Sequence, residues 1–411
     1  MQIEKKITRE MANRIFEVAY LVMLAMYTGF YFLNTTTFEM TWSTYFYSNM
    51  RIGLLLIIFA RASLAEEYKL KEIAGCILVA LVLLVAWEHN GFDELRDIVL
   101  LLVGAKDISY KKILKVYVGV VFVLLSYTMI SALTGRIDNL IFRQDGRRAR
   151  IAFGIGYPTD FSAYIFYMVL AVCCLRKEKI RYIEIGMIVL LGIFVYMFCD
   201  ARLNTICLIL VAGVMFYHKL RCSNAEKRGE EYEMNAIFSM LLALSATIFA
   251  FIMIGLSMLY STDNKFLLLA DRVLNNRLRL GKKGIDLYGF SIFGQQIPMI
   301  GNGGSTKQPK NYFFLDSSYL SASLRFGILA FGALLLILLV IAFRAREKKK
   351  WTLLWMVALM SLQCVVEHHM TDVSYCVMLY LFASDMTEVC RTKGTIKWFR
   401  RKKYAKDNAL N

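Results

Sequence analysis

The chain has only 3 prolines in 411 residues, and no polar stretch between its apolar runs is long enough for a soluble domain. With so few helix breakers, those runs are free to be helical. There is no Walker motif, no GxGxxG and no Ser-His-Asp signal, so an ATP-driven pump is not expected. No internal repeat is visible. The cysteines have no metal-ligand spacing; Cys173-Cys174 and Cys222 fall near the expected inner face and none falls in the middle of an expected outer loop. No disulfide framework, metal or cofactor is therefore expected. The first apolar segment follows Lys5, Lys6, Arg9 and Arg14 without a small-residue cleavage site, and reads as an uncleaved signal anchor.

What is present is apolar: 58% hydrophobic residues at a mean hydropathy of +0.49. Runs of about 17 to 25 apolar residues, enough to cross a bilayer, fall at 15–33, 44–61, 72–88, 94–107, 113–133, 151–175, 182–199, 203–218, 236–258, 318–343, 351–367 and 374–390. The fourth is short and carries Arg96 and Asp97 near its start. This pattern predicts an all-α, polytopic integral membrane protein of one domain (1–411) with about twelve transmembrane helices. A long extracytoplasmic loop, 259–317, separates the ninth and tenth, and a basic tail, 391–411, ends on the cytoplasmic side.

The formal net charge of +17 raises nucleic acid as a partner. Most of the charge lies in alternate connections between spans, so the anionic inner leaflet explains it better and no nucleic acid is expected. The same alternation places both termini inside. Three expected outer loops, 34–43, 89–93 and 368–373, hold no lysine or arginine. The outer basic residues gather instead at 136–150, at Arg202 and at 265–310.

Arg143, Arg147, Arg148 and Arg150 share one short outer loop. Cations are normally kept from such loops, so the cluster points to an anionic ligand. Guanidinium binds phosphate bidentately and stays charged at any relevant pH. The bland alternative is snorkelling to lipid headgroups. Gly154-Ile155-Gly156-Tyr157-Pro158-Thr159-Asp160-Phe161 then suggests a broken or kinked helix end. Asp160 there either faces a cavity or cation, or pairs with a neighbouring arginine. Asp200-Ala201-Arg202 is a tight outer hairpin that is either functional or a polar cap. Lys265 to Leu280 alternates apolar residues with Arg272, Arg277 and Arg279, as an interfacial amphipathic helix would. The glycines after it, Gly281, Gly284, Gly289 and Gly294, read as turns. Asp316-Ser317-Ser318-Tyr319 opens the tenth span with good N-cap residues, and Arg325, two turns further, faces a cavity or a carboxylate. Glu367-His368-His369 with Asp372 closes the eleventh span. No third ligand stands at a helical spacing from the two histidines, so a general base is the better reading than zinc. Polar residues merely facing water are the alternative.

Taken in order, these features resemble a family. Its pattern is an arginine-bearing loop, a Gly-x-Gly-[His/Tyr]-Pro-x-x-Phe helix start, a [Ser/Asp]-x-Arg hairpin, a long outer loop, an Asp-x-x-Tyr helix start and a late Glu. The chain has Gly154 to Phe161, Asp200-Ala201-Arg202, Tyr288-Gly289 with Phe293-Gly294-Gln295, Asp316 to Tyr319, and Glu367. Over residues 90–390 it resembles the Wzy-type polysaccharide polymerases of Gram-positive capsule and exopolysaccharide clusters, within the O-antigen polymerase and ligase superfamily. Tyr157-Pro158-Thr159 stands where the family often has His-Pro-Asn, and Asp200 where it has Ser; both departures weaken a chemical role for Tyr157 or Asp200.

The resemblance implies a variant of the glycosyltransferase C fold in a bacterial plasma membrane. It implies a membrane glycosyltransferase that joins undecaprenyl-diphosphate-linked repeat units on the outer face, without a nucleotide sugar. Membrane lipids, a flippase and a chain-length regulator are the expected partners. Arg147, Arg148 and Arg150 would hold one diphosphate; Arg202, Arg277 and Arg279 would hold the departing one. Glu367 or His369, with Asp316 and Asp160 as further candidates, would deprotonate the acceptor hydroxyl. Tyr157, Tyr319 and Arg325 would line the site. A ligase of finished polymer and a flippase of lipid-linked sugars are the rivals.

Overall fold

A computed structural model describes residues 2–40, 44–64, 70–143, 148–302, 305–307 and 309–387. The expected tail at 391–411 and Arg147 lie outside the described residues. The elements are α1 (Gln2–Leu33), α2 (Thr44–Leu64), α3 (Leu70–Asn90), α4 (Asp93–Gly104), α5 (Tyr110–Leu133), β1 (Ile141–Phe142), β2 (Arg150–Ile151), α6 (Pro158–Arg176), α7 (Tyr182–Phe194), α8 (Arg202–Glu226), α9 (Ala236–Ala243), α10 (Ser245–Met258), α11 (Lys265–Val273), α12 (Arg277–Tyr288), α13 (Ser318–Ser321), α14 (Gly327–Glu347) and α15 (Trp351–Gln363).

Six helical runs among the described residues are long and apolar enough to cross a membrane: Met11–Leu33, Tyr110–Leu133, Pro158–Lys179, Tyr182–Cys199, Arg202–Glu226 and Ser318–Glu347. The pair α9 and α10, bent by 56°, makes a seventh if counted as one span. Ala74–Asn90 and Trp351–Gln363 are shorter apolar helices. The protein is thus a mostly helical bundle whose long helices suit a membrane. Large side chains such as Phe59, Phe122, Ile183 and Phe251 lie exposed on its flanks, as lipid-facing residues do. The antiparallel ladder Ile141↔Ile151 and Phe142↔Arg150 departs from the all-α expectation.

Four expectations change. First, α4 is a 12-residue helix with eight residues buried, among them Asp97, whose Oδ1 accepts from Arg51 Nε at 2.8 Å. A buried bidentate pair allows a carboxylate at that depth. Second, no α-helix forms over the described part of 374–390; only Val377–Leu381 coils, as a 3-10 turn. This stretch is wrapped by protein: Cys376 to Leu381 are at most 1% exposed. Its carbonyls find other donors, with Tyr117 Oη donating to Tyr375 O at 2.7 Å and Arg344 Nη2 to Ser384 O at 2.7 Å. Irregular backbone is tolerated at membrane depth only under such cover. The stretch ends beside the α4–α5 connection, where Asp385 N donates to Ile108 O at 2.8 Å.

Third, the amphipathic segment 265–280 is two helices, not one. Asn275 and Asn276 adopt left-handed backbone, φ 56° and 66°, a conformation Asn tolerates better than most residues. The first half keeps the amphipathic character, with Phe266, Leu269 and Val273 exposed. Fourth, Gly281 and Gly284 are not turns but contact points within α12. A Cβ on Gly281 would come within 2.6 Å of Leu320 Cδ1 and 2.7 Å of Ser257 Oγ. The missing side chain lets α12 lie directly on α10 and α13.

The connections of the bundle fall into two sets. The α2, α4 and α8 C-termini and the α14–α15 turn, rich in lysine and arginine, make a basic end. The α1–α2 connection, the β-hairpin, the α7–α8 turn, α11, α12 and residues 364–372 make the other end, which carries the candidate site.

Candidate functional site

Arg150 leaves β2 pointing inward and is 6% exposed. Its Nε donates to Cys199 O at 3.1 Å, its Nη1 to Tyr157 Oη at 3.1 Å, and its guanidinium lies 5.1 Å from the Tyr157 ring centre. Tyr157 is the N-cap of α6, and Pro158 is its first residue, where a missing N–H costs nothing. The Gly-x-Gly-Tyr-Pro run therefore starts a helix rather than kinking one. Gly154, at φ 83°, gives its carbonyl to Thr37 N at 2.8 Å, and Gly156 N donates to Thr35 O at 2.8 Å. These bonds pin the α6 N-terminus to the α1–α2 connection. Asp160, in the first turn of α6, has the favourable end of the helix dipole.

On the facing side, α12 begins with Arg277, also 6% exposed. Its Nε donates to Val366 O at 2.5 Å and its Nη1 to Leu274 O at 3.1 Å. Its Nη2 is 3.9 Å from both Asp316 Oδ2 and Glu367 Oε1. Glu367 lies beyond the last turn of α15, in a turn held by Ser318, whose Oγ donates to Glu367 O at 2.5 Å and accepts from Met370 N at 3.2 Å. Ser317, expected to cap the helix, instead donates from Oγ to Cys364 O at 3.3 Å. A buried network ties these parts together. Asn204 Nδ2 donates to Thr159 O at 3.2 Å, and Gln363 Nε2 to Asn204 Oδ1 at 3.1 Å.

His369 sits between two carboxylates. Its Nδ1 is 2.7 Å from Asp372 Oδ2 and its Nε2 3.5 Å from Asp160 Oδ1, with Tyr375 stacked on its ring at 3.9 Å. Burial opposes charge on this imidazole, but Asp160 and Asp372 outweigh it and raise its pKa to about 10. Burial raises Glu367 to about 7, against the pull of Arg277 and His369. Glu367, and not His369, is therefore the group that exchanges a proton near neutral pH. Glu367, His368 and His369 place ligand atoms within 4.8 Å of one another, a spacing open to a metal ion. Arg277 already brings positive charge to that carboxylate.

Two cavities adjoin at this end. The larger, about 490 Å³, is lined by Arg150, Tyr157, Arg279, Lys310, Tyr312 and Asp316 among others. The second, about 280 Å³, is lined by Arg150, Arg202, Arg272, Arg277, Asn204 and Glu367 among others. They share Arg150 and Asn275. Asp160 and His368 line a third space, about 390 Å³, that joins the first at Tyr157, Tyr312 and Asp316.

The expected site residues thus separate into groups. Arg150, Arg202, Arg277, Arg279, Tyr157, Asp160, Asp316 and Glu367 line these cavities, and His369 backs them. Arg202 also bonds Asp200 Oδ1 from Nε at 3.2 Å. Arg148 does not line them; it lies exposed over the Tyr196 ring at 5.0 Å. Tyr319 is fully buried and donates to Ser361 O at 2.7 Å, so it holds α13 to α15 instead of lining a cavity. Arg325 lies over Phe92 at 4.2 Å, towards the charges of Glu94 and Asp372, and lines none of the three spaces. Lys310, Tyr312 and Arg272 were missed as candidates. Position in the long basic loop was their only signal. The chain matches no protein-family model, no curated protein and no solved structure.

Proposed function

We propose that the protein is a polysaccharide polymerase of the outer face of a bacterial plasma membrane. It joins undecaprenyl-diphosphate-linked repeat units of a capsule, exopolysaccharide or O-antigen type. The observation that carries this is the pair of adjoining cation-lined cavities that share Arg150, with Glu367 in the wall of the second. Two lipid diphosphates must meet in such a reaction, and two sets of cations stand side by side.

The arginines divide differently from the sequence-based expectation. Arg150, Arg279 and Lys310 serve one diphosphate; Arg202 and Arg272 serve the other. Arg277 holds Glu367 and Asp316 instead of a ligand. In the transfer, Glu367 takes the proton of the acceptor hydroxyl. That oxygen bonds to the anomeric carbon of the growing chain, and the bond from that carbon to the diphosphate breaks. The diphosphate leaves with the electron pair, and fixed cations stabilise its growing charge. The buried, water-poor position of Glu367 makes it a base rather than a solvated surface acid. The long extracytoplasmic loop and cytoplasmic termini belong to the same proposal.

Deletion of the gene followed by analysis of lipid-linked products tests the reaction. Accumulated single repeat units support a polymerase. Long unattached polymer would instead indicate a ligase, and repeat units retained inside a flippase.

A further inference from the structure

At the basic end, opposite the candidate site, an apolar slot of about 280 Å³ opens between α1, α2, α3 and α4. Tyr20, Ile57, Ile77 and Val103 form its walls, and Arg61 and Lys106 line it as well. Arg61 stands in the last turn of α2 and is only 9% exposed. Its Nη1 donates to Gly104 O at 3.4 Å, at the C-terminal residue of α4. Lys106 follows that terminus and pairs with Asp107. Both cations thus sit where the slot meets the basic end, while most of the rest of its wall is apolar. Slots between membrane helices that end in basic residues suit anionic lipids: the chain is buried among apolar side chains and the phosphate meets the cations.

We propose that this slot binds an anionic phospholipid from the leaflet at the basic end, with an acyl chain between the helices and the phosphate on Arg61 and Lys106. A free anion lacks the chain that the apolar walls select, and a zwitterionic lipid gains less from two cations. Because the slot lies at the far end of the bundle, this proposal stands or falls independently of the polymerase reading.

Native mass spectrometry of the detergent-solubilised protein tests it, with phosphatidylglycerol and phosphatidylcholine of equal chain length as probes. Wild type should retain phosphatidylglycerol preferentially. Arg61→Gln and Lys106→Gln should each cut that preference about fivefold and leave phosphatidylcholine unchanged. Ile77→Trp, which fills the slot from a lipid-facing position, should lower retention of both lipids. Equal retention of the two lipids by wild type would overturn the proposal, as would an undiminished preference in the Arg61→Gln/Lys106→Gln double variant. Should that variant fail to fold, undiminished phosphatidylglycerol binding by Ile77→Trp overturns it instead.

Discussion

Arg277 and Glu367 form a buried pair whose side chains approach to 3.9 Å, while the same guanidinium binds the carbonyl of Val366, the residue before Glu367. The arginine therefore fixes the position of the carboxylate and favours its charged form against the cost of burial. Replacing Arg277 by Ala leaves two carbonyls without their donor and the carboxylates of Asp316 and Glu367 without their counter-charge. The expected cost is about 3 to 5 kcal/mol, read as a lower unfolding temperature in detergent. Arg279→Ala, on an exposed side chain that lines the larger cavity, should leave stability within about 0.5 kcal/mol. It should nevertheless shorten the surface polysaccharide. Equal stability losses in the two variants would contradict the division between holding and binding arginines.

In the proposed reaction, the base Glu367 sets the pH dependence. A base must be ionised to act, so activity should fall as pH drops through about 7, the value to which burial raises this carboxyl. Glu367→Gln should abolish polymerisation at every pH. Arg277→Lys, which keeps the charge and loses the fork, should retain the acid limb but slow the reaction. Polymer synthesis by right-side-out membrane vesicles across pH 5 to 9 reads these limbs. A Glu367→Gln variant with wild-type polymer would remove the carboxylate from the mechanism.

Part of this organisation is legible in the sequence. The apolar runs at 113–133 and 182–199 coincide closely with the spans Tyr110–Leu133 and Tyr182–Cys199, because a long helix in lipid needs nothing beyond continuous apolar composition. The run at 374–390 looks the same by composition and is not an α-helix. Hydropathy reports that a stretch avoids water, and a stretch wrapped by protein satisfies that condition as well as one facing lipid. Tyr117 and Arg344 supply the donors that make the difference, and both are distant in the chain. The same limit hides the site. Arg150 and Arg279 each carry a sequence signal, but their meeting in one cavity depends on how α12 lies across α10. The pairing of His369 with Asp160 likewise joins segments that no local spacing relates. The break at Asn275-Asn276 did have a local signal, two residues tolerant of left-handed backbone, inside an otherwise periodic helix.

His369 should make the folded protein less stable as pH rises. Its folded pKa of about 10 lies above an unfolded value of about 6.5, so the folded state binds more protons between the two. The stabilisation is fully present below about pH 6.5 and is lost as pH rises through about 10. Glu367 acts with the same sign at lower pH, since its folded value near 7 exceeds an unfolded value of about 4.3. Thermal unfolding of the detergent-solubilised protein should therefore show a falling midpoint from pH 5 upwards. In His369→Gln the part of the fall above about pH 7 should disappear. A midpoint that rises over this range would show that the Asp160–His369–Asp372 arrangement does not hold a proton.

Gly281 tests whether the placement of α12 builds the larger cavity. A Cβ there meets Leu320 and Ser257, which lie on two different helices, so α12 cannot shift away from one without moving along the other. Gly281→Val should therefore push the start of α12 outwards and carry Arg277 and Arg279 with it. The helix itself should persist, because valine is no worse than glycine in a helix interior. The expected result is a folded, membrane-inserted protein whose polymer is short or absent, with activity reduced more than tenfold. Trimming the obstacle provides the complementary arm. Leu320→Ala in the Gly281→Val background removes the nearer contact and should restore part of the polymer length. The Leu320→Ala change alone should cost about 2 to 5 kcal/mol of stability, as buried leucines do. Full activity in Gly281→Val would show that the arginines reach their cavity without the close approach of α12.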